Sequence, residues 1–207
     1  MGKYSTDKKQ EIRKEEIVSA CEKLYKKMSF KEITLKEISK ETSFTRPSIY
    51  NYFQTKEEIF LALLGEEYRK WGKFLEDNLS GEINPTAEGF ADFIARSLSD
   101  REQLLKLLSI NYYEMEENSR LERLTEFKCV FNKTFEVIKK LLHLYFKGIT
   151  EKEEESFLFA FFPFMFGIYP YTHVTKKQTM AMEKAGMQFT TRTVEGIIKD
   201  FIIKYFK

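Results

Sequence analysis

An all-α fold follows from three features of this sequence. Gly and Pro are scarce, 9 and 4 among 207 residues, too few to punctuate the many turns of a β fold. Lys, Glu, Leu, Ile and Phe are abundant, and apolar residues recur at three- and four-residue spacing behind Ser or Thr capping signals. The chain is 43% hydrophobic and carries 20 Phe, enough core for one or two compact domains and incompatible with a disordered or fibrous chain.

Each element can be justified in turn. From Lys8 to Met28, Ile17, Cys21, Leu24 and Met28 mark one helix face. Thr34 opens a short second helix, where its hydroxyl accepts the Glu37 amide and the Glu37 carboxylate reaches back; Leu35 and Ile38 point inward. Thr45 then caps a third helix, RPSIYNYF, with Pro47 tolerated in a first turn whose amides lack intrahelical partners. Thr55 with Glu58 boxes a long fourth helix, Lys56 to about Asn78, with an apolar face of Ile59, Phe60, Leu63, Leu64, Tyr68, Trp71 and Leu75.

After a loop, Leu79 to Pro85, Asn84 begins a helix to about Leu98. Ser99 with Glu102 opens another to about Glu117, and Ser119 with Glu122 opens a long one to Lys147, ended by Gly148. Thr150 with Glu153 starts a Phe-rich helix, and after an irregular stretch from Tyr169 to about Met180 a last helix runs to Phe206. The prediction is about nine helices, no strands and no internal repeat. Residues 1–55 form a three-helix unit extending into the helix 56–78, and residues 56–207 form a helical bundle.

Several function classes are excluded. Cys21 and Cys129 lie far apart in helical patterns and read as buried inert thiols; with no apolar leader visible, a reducing cytoplasm is the expected setting. His143 and His173 are too isolated for a metal set, and no cofactor is implied. The run Ser156 to Thr175 has no charged residue, but Pro163, Gly167, Pro170 and its polar end break it, which predicts a buried helix and no membrane partner. Residues 1–60 carry 13 basic and 10 acidic side chains, a modestly basic head on a near-neutral body.

Two short helices joined by a tight turn are the arrangement by which a helix enters the DNA major groove. Thr45, Arg46, Pro47 and Ser48 would form the leading turn toward base edges. In that turn Arg46 suits guanine bidentately, Thr45 or Ser48 suits a base or phosphate, and the Pro47 ring suits a thymine methyl. Tyr50, Asn51 and Tyr52 add hydroxyl and amide groups, Ile49 and Phe53 look inward, and Lys56 adds a cation beside the free amides of the fourth helix. Spacing alone is equally compatible with a plain three-helix core whose polar residues face water.

The stretch ITLKEISKETSFTRPSIYNYFQTKEEIFLALL strongly resembles the DNA-binding domain of the TetR (tetracycline-repressor-like) family of one-component regulators, over about residues 10–64. Its most specific part is IYNYFQTKEEIF. By that resemblance Tyr50, Lys56 and Thr34 match backbone-contacting positions, while Thr45, Arg46, Pro47, Ser48 and Asn51 match the recognition helix. The family usually has Gly where this chain has Ser29 and Ser43, and Ser43 in a left-handed turn would cost about 1 kcal/mol.

The resemblance also implies that the last two long helices pair with their symmetry mates, giving a homodimer on a palindromic DNA operator. Independently, the helix containing six Phe between Phe157 and Phe166 is apolar all round, and the last helix carries an aliphatic stripe. The interface expected is Phe162, Phe166, Val194, Ile197, Ile198, Phe201, Ile202 and Tyr205; the alternative is that both helices are internal. A pocket for a small apolar or aromatic effector is likewise implied, with Tyr112, Tyr113, Phe131, Phe135, Phe161, Met165, Tyr169 and His173 as candidate lining. The segment GIYPYTHVT reads as a pocket lid or a dimer-contacting loop.

The expected function is therefore a DNA-binding transcriptional regulator, a repressor released by its effector. A protein-binding bundle that keeps the trihelical unit as scaffold is the alternative. A helical enzyme ranks below both, because no nucleophile with a base, no paired carboxylates and no phosphate-binding Gly loop is present.

Overall fold

Eleven helices and no strand run through the described residues, 2–79, 84–110 and 112–207, of the computed structural model. They are α1 (Gly2–Tyr25), α2 (Leu35–Lys40), α3 (Arg46–Ile49), α4 (Lys56–Asp77), α5 (Ala87–Ser99), α6 (Glu102–Leu108), α7 (Tyr112–Glu117), α8 (Leu121–Tyr145), α9 (Glu151–Thr172), α10 (Lys176–Lys184) and α11 (Val194–Tyr205). Thr34, Thr45, Thr86, Thr150, Thr175 and Thr193 each cap a helix by accepting the amide three residues on, the role for which a short hydroxyl side chain is suited.

The count exceeds nine for local reasons. The expected helix over 99–117 is two, α6 and α7, and neither Ser99 nor Ser119 caps: their hydroxyls donate back to the carbonyls of Ala95 and Met115, as residues finishing a helix do. Thr86 rather than Asn84 caps α5. Of the predicted loop Leu79 to Pro85, residues 80–83 lie outside the described residues. Pro163 and Pro170 do not break α9; both lie inside it and are exposed, so the carbonyls four residues before them lose an intrahelical donor on the water side. The stretch expected to be irregular therefore contains the end of α9 and the first half of α10, and the last helix starts only at Val194.

The chain divides into two compact units that do not follow a single cut. One comprises residues up to Glu66 with Ile110–Phe131, the other Glu67–Ser109 with Asn132–Lys207; the division expected at residue 55 differs because the 110–131 stretch packs with the N-terminal helices. In the first unit Ile17, Cys21, Tyr25, Ile33, Ile38, Ile49, Phe53, Ile59, Phe60 and Leu63 are buried, and Tyr25 meets Phe60 edge-on at 5.3 Å. Burial pushes the Cys21 thiol up, as expected for an inert core thiol; Cys129, expected to be buried too, is exposed.

In the second unit Tyr68, Trp71 and Leu75 of α4 and Phe90, Ile94 and Leu98 of α5 are buried. The Trp71 indole donates to Ser97 Oγ at 3.0 Å, and that hydroxyl donates on to the Ile94 carbonyl at 2.8 Å, so the buried polar atoms are satisfied. Gly72 lets α4 approach α8: a Cβ there would meet Thr134 Oγ1 at 2.7 Å, and Thr134 itself donates to the Tyr68 carbonyl at 3.1 Å. Helix α11 packs principally on α5 and less on α9. Phe157, Leu158, Phe161, Phe162, Met165 and Ile168 make α9 a core helix, and among the described residues no single helix is long and apolar enough to cross a membrane.

Candidate functional site

The short helix α3 owes its position to its own sequence. Thr45 stands in extended backbone and accepts the Ser48 amide, Pro47 sits in the first turn, and the Thr45 and Ser48 hydroxyls share a 2.9 Å hydrogen bond. The regular helix is shorter than the expected eight residues: after Ile49 the chain continues in turns, with the Tyr52 and Phe53 amides both bonded to the Ile49 carbonyl. Ile49 and Phe53 are buried and anchor this turn from beneath, which leaves Thr45, Arg46, Pro47, Tyr50 and Asn51 exposed.

The exposed groups are ordered among themselves. Arg46 Nη2 donates to the Tyr50 hydroxyl at 3.1 Å and lies over that ring. Thr34 is exposed at the start of α2, where it accepts the Glu37 amide and its hydroxyl donates to the Glu37 carboxylate. Ser48, Tyr52 and Lys56 are half-buried. Lys56 Nζ donates to the Phe30 carbonyl at 2.8 Å and sits 4.1 Å from the Phe30 ring centroid; one of its three donors is thus spent, and two remain for an outside acceptor.

Helix α1 braces the turn between α2 and α3. Glu16 accepts the Ser43 amide at 2.7 Å, and the hydrogen bonds from Ser43 hold its carboxylate below the usual range. No non-Gly described residue has positive φ, so Ser43 does not take the left-handed conformation expected from its usual Gly, and the strain does not arise. Arg13 donates to the Tyr52 hydroxyl at 3.1 Å and lies over the Phe44 ring. Neither role had a signal in local spacing, because both partners lie more than a helix away in sequence.

A second brace comes from the α7–α8 turn. Glu58 donates its amide to the capping hydroxyl oxygen of Thr55 at 3.1 Å. Its carboxylate accepts the Gln54 amide at 2.7 Å and Arg120 Nε and Nη2 at 2.7 and 2.9 Å. Arg120 Nη2 also donates to the Tyr52 carbonyl, and the Thr55 hydroxyl to the Asn118 carbonyl. Burial alone would raise Glu58, but the bonds from Arg120 and two amides outweigh it and hold the carboxyl below its ordinary value.

The residues expected at a dimer seam divide. Ile198 and Ile202 are fully buried against their own protomer, because α11 turns that edge toward α5; they are removed from the interface. Phe162 is also buried, at 7% exposure, and stacks on Phe135. Phe166, Val194, Ile197, Phe201 and Tyr205 are half-exposed.

The expected effector lining divides too. Tyr113 is 73% exposed and is no interior wall. Tyr112 and Phe131 belong to the first unit, flanking Phe127 under the Lys128 ammonium. In the second unit Phe161 and Met165 are fully buried, Phe135 and Tyr169 are half-buried, and His173 is exposed at the end of α9, stacked on Tyr169 with ring centroids 4.2 Å apart. Phe135 alone of these borders the groove of about 670 Å³ between α8 and α9.

Comparison with known proteins meets this geometry. A family model described as "Tetracyclin repressor-like, C-terminal domain" matches residues 65–205, and one described as "Bacterial regulatory proteins, tetR family" matches residues 17–63. The uncharacterized HTH-type transcriptional regulator YfiR of Bacillus subtilis (strain 168) is 29% identical over 101 residues, 44% of this chain and 49% of that one; the match thus spans about half of the relative's length. A TetR transcriptional regulator from Rhodococcus sp. RHA1 superposes with a TM-score of 0.58 at 13% identity, covering 95% of this chain and 97% of that chain. The TetR family repressor AlkX from Dietzia sp. strain DQ12-45-1b gives 0.51 at 12% identity, covering 92% and 95%. At these identities the two structures share the fold.

Proposed function

The chain belongs to the TetR family of bacterial transcriptional regulators, and from that premise we propose that it is a homodimeric repressor of a palindromic operator, released by a small apolar or aromatic effector. One observation carries the DNA reading: Thr45, Arg46, Pro47, Tyr50 and Asn51 are all exposed on a turn whose other side, Ile49 and Phe53, is locked in the core. A rigid turn that offers a guanidinium, an amide, hydroxyls and an apolar ring suits both base readout and phosphate contact. Thr34, Ser48, Tyr52 and Lys56 complete the contact set, toward the DNA backbone.

Two copies related by a two-fold axis would set two such turns about one DNA turn apart, in keeping with a palindrome. Their seam draws on the half-exposed Phe166, Val194, Ile197, Phe201 and Tyr205. The effector site lies in the second unit, among Phe135, Phe161, Met165 and Tyr169, an aromatic, uncharged lining with the Tyr169 hydroxyl as its polar group.

Mobility shifts on the DNA flanking the chain's own coding region test this reading. A discrete complex at physiological salt, far tighter than on random DNA, is the expected result. Binding no tighter than on random DNA would overturn it.

A further inference from the structure

Between α9 and α11 the chain makes an excursion that its own protomer does not use. Helix α10 leaves α9 at 83°, and from Thr175 to Thr193 every residue is exposed except the half-buried Met182. A helix of 9 residues is marginal in water without a packed face. Here apolar side chains stay open on both sides of it: Met180, and Met187 just beyond the helix, are each 57% exposed, and Tyr171, Met182 and Phe189 border a shallow groove of about 370 Å³. The excursion is also basic. Lys176, Lys177 and Lys184 are exposed and form no ion pair among the described residues.

The other end of α9 carries the complement. Glu151 and Glu155 are exposed there, beside the α8–α9 groove, whose lining is net acidic, with Glu136, Glu151, Glu154 and Glu155 against Lys139 and Lys140, and whose rim bears Phe159 at 72% exposure. From residue 155 to residue 172 the helix rises roughly 25 Å, and α10 then turns away, so the excursion does not reach this groove within one chain. A two-fold axis crossing α9 reverses the second copy's helix and sets the basic end of each over the acidic end of the other.

We propose that the segment from Val174 to Thr193 is a clasp that seats on the α8–α9 groove of a second copy. Its Lys176, Lys177 and Lys184 meet that copy's Glu151 and Glu155, while Met180, on the same face of α10, covers that copy's Phe159. Methionine suits such a contact, being flexible enough to fill an irregular groove. The clasp adds contact area beside the α9–α11 face, where the burial of Ile198 and Ile202 within the protomer takes two apolar side chains out of reach of a partner. The proposal rests on the homodimer reading.

Sedimentation of the full chain at about 0.1 M salt tests it. The combined substitution Lys176→Glu, Lys177→Glu and Lys184→Glu is expected to raise the dimer dissociation constant by about tenfold or more, and adding Glu151→Lys with Glu155→Lys to the same chain is expected to restore most of the loss. In a Cys129→Ser background, chains bearing Phe159→Cys mixed with chains bearing Met180→Cys are expected to form a disulfide-linked pair on oxidation. A dimeric wild type with unmoved variants and no cross-link overturns the clasp and leaves the dimer standing. When both cysteines are placed in one chain, an internal disulfide overturns the second copy as occupant. A wild type that stays monomeric at every concentration overturns the homodimer reading and the clasp with it.

Discussion

The Glu58 carboxylate, with a side chain 0% exposed, receives a forked pair of hydrogen bonds from the Arg120 guanidinium 62 residues away, Nε to Oε1 at 2.7 Å and Nη2 to Oε2 at 2.9 Å. Arg120 Nη2 also donates to the Tyr52 carbonyl at 3.2 Å. The turn that follows α3, where the proposed DNA-contacting side chains sit, is therefore held against the α7–α8 turn by charge and geometry together.

Arg120→Ala should destabilise the fold by about 2 to 3 kcal/mol, because it strands a buried carboxylate. The figure sits below that for a fully enclosed pair since the Arg120 side chain is 34% exposed. Urea unfolding measures it. Arg120→Lys should recover only part, as an ammonium cannot reproduce the fork, and full recovery would reduce the contact to simple charge pairing.

The same pair sets a pH dependence with a definite sign. Glu58 lies below its ordinary value of 4.5 in the folded chain, so its contribution is present above that value and is lost as pH falls through the depressed one. Without Arg120, burial dominates, the carboxyl rises, and stability falls as pH increases. The gap between wild type and Arg120→Ala should be widest at neutral pH and narrow as pH falls below 4.5 through the depressed value; a gap that stays constant in urea midpoints across this range would show that Glu58 does not carry it.

Arg46→Ala should relax operator choice and cost about 1 to 3 kcal/mol of specific binding. Arg46 now donates to the Tyr50 hydroxyl, a bond it must exchange for a base. Binding-site selection on randomised DNA reads the outcome, and an unchanged preference would take Arg46 out of base readout.

Lys56→Ala should weaken binding to all sequences and lower the slope of log affinity against log salt by about one. Because Lys56 also donates to the Phe30 carbonyl, the folded fraction is to be matched first by circular dichroism. An unaltered slope would mean that the ammonium serves only the fold.

Gly72→Ala gains helix propensity but places a Cβ 2.7 Å from Thr134 Oγ1. Overpacking should prevail, costing about 1 to 3 kcal/mol. Thermal melts of Gly72→Ala with Thr134→Ala should show much of the loss returned relative to Thr134→Ala alone, since the hydroxyl in the way is gone. Simple additivity would place the cost elsewhere.

What the chain determines by itself is local. Thr34, Thr45 and Thr150 cap the helices their spacing announces, and Ile59 to Leu75 bury the face that the helical period selects, because caps and stripes act over three or four residues. The family likeness of residues 17–63 is legible for the same reason: recognition turn, caps and inward aromatics are contiguous. Helix continuity was less legible where prolines intervene, since Pro163 and Pro170 are accommodated by a face of α9 that the tertiary structure leaves in water.

Only the tertiary structure decided partners distant in sequence. Local spacing paired Glu58 with Thr55, while the fold offered it a guanidinium 62 residues on, and a buried carboxylate is held best by a forked cation. Ile198 and Ile202 share a stripe with Val194 and Phe201, and a stripe does not say which edge meets a neighbour in the same chain. The packing of α11 on α5 settles that, burying two isoleucines and leaving the rest half in water, because burial depends on what surrounds a helix and not on the helix alone.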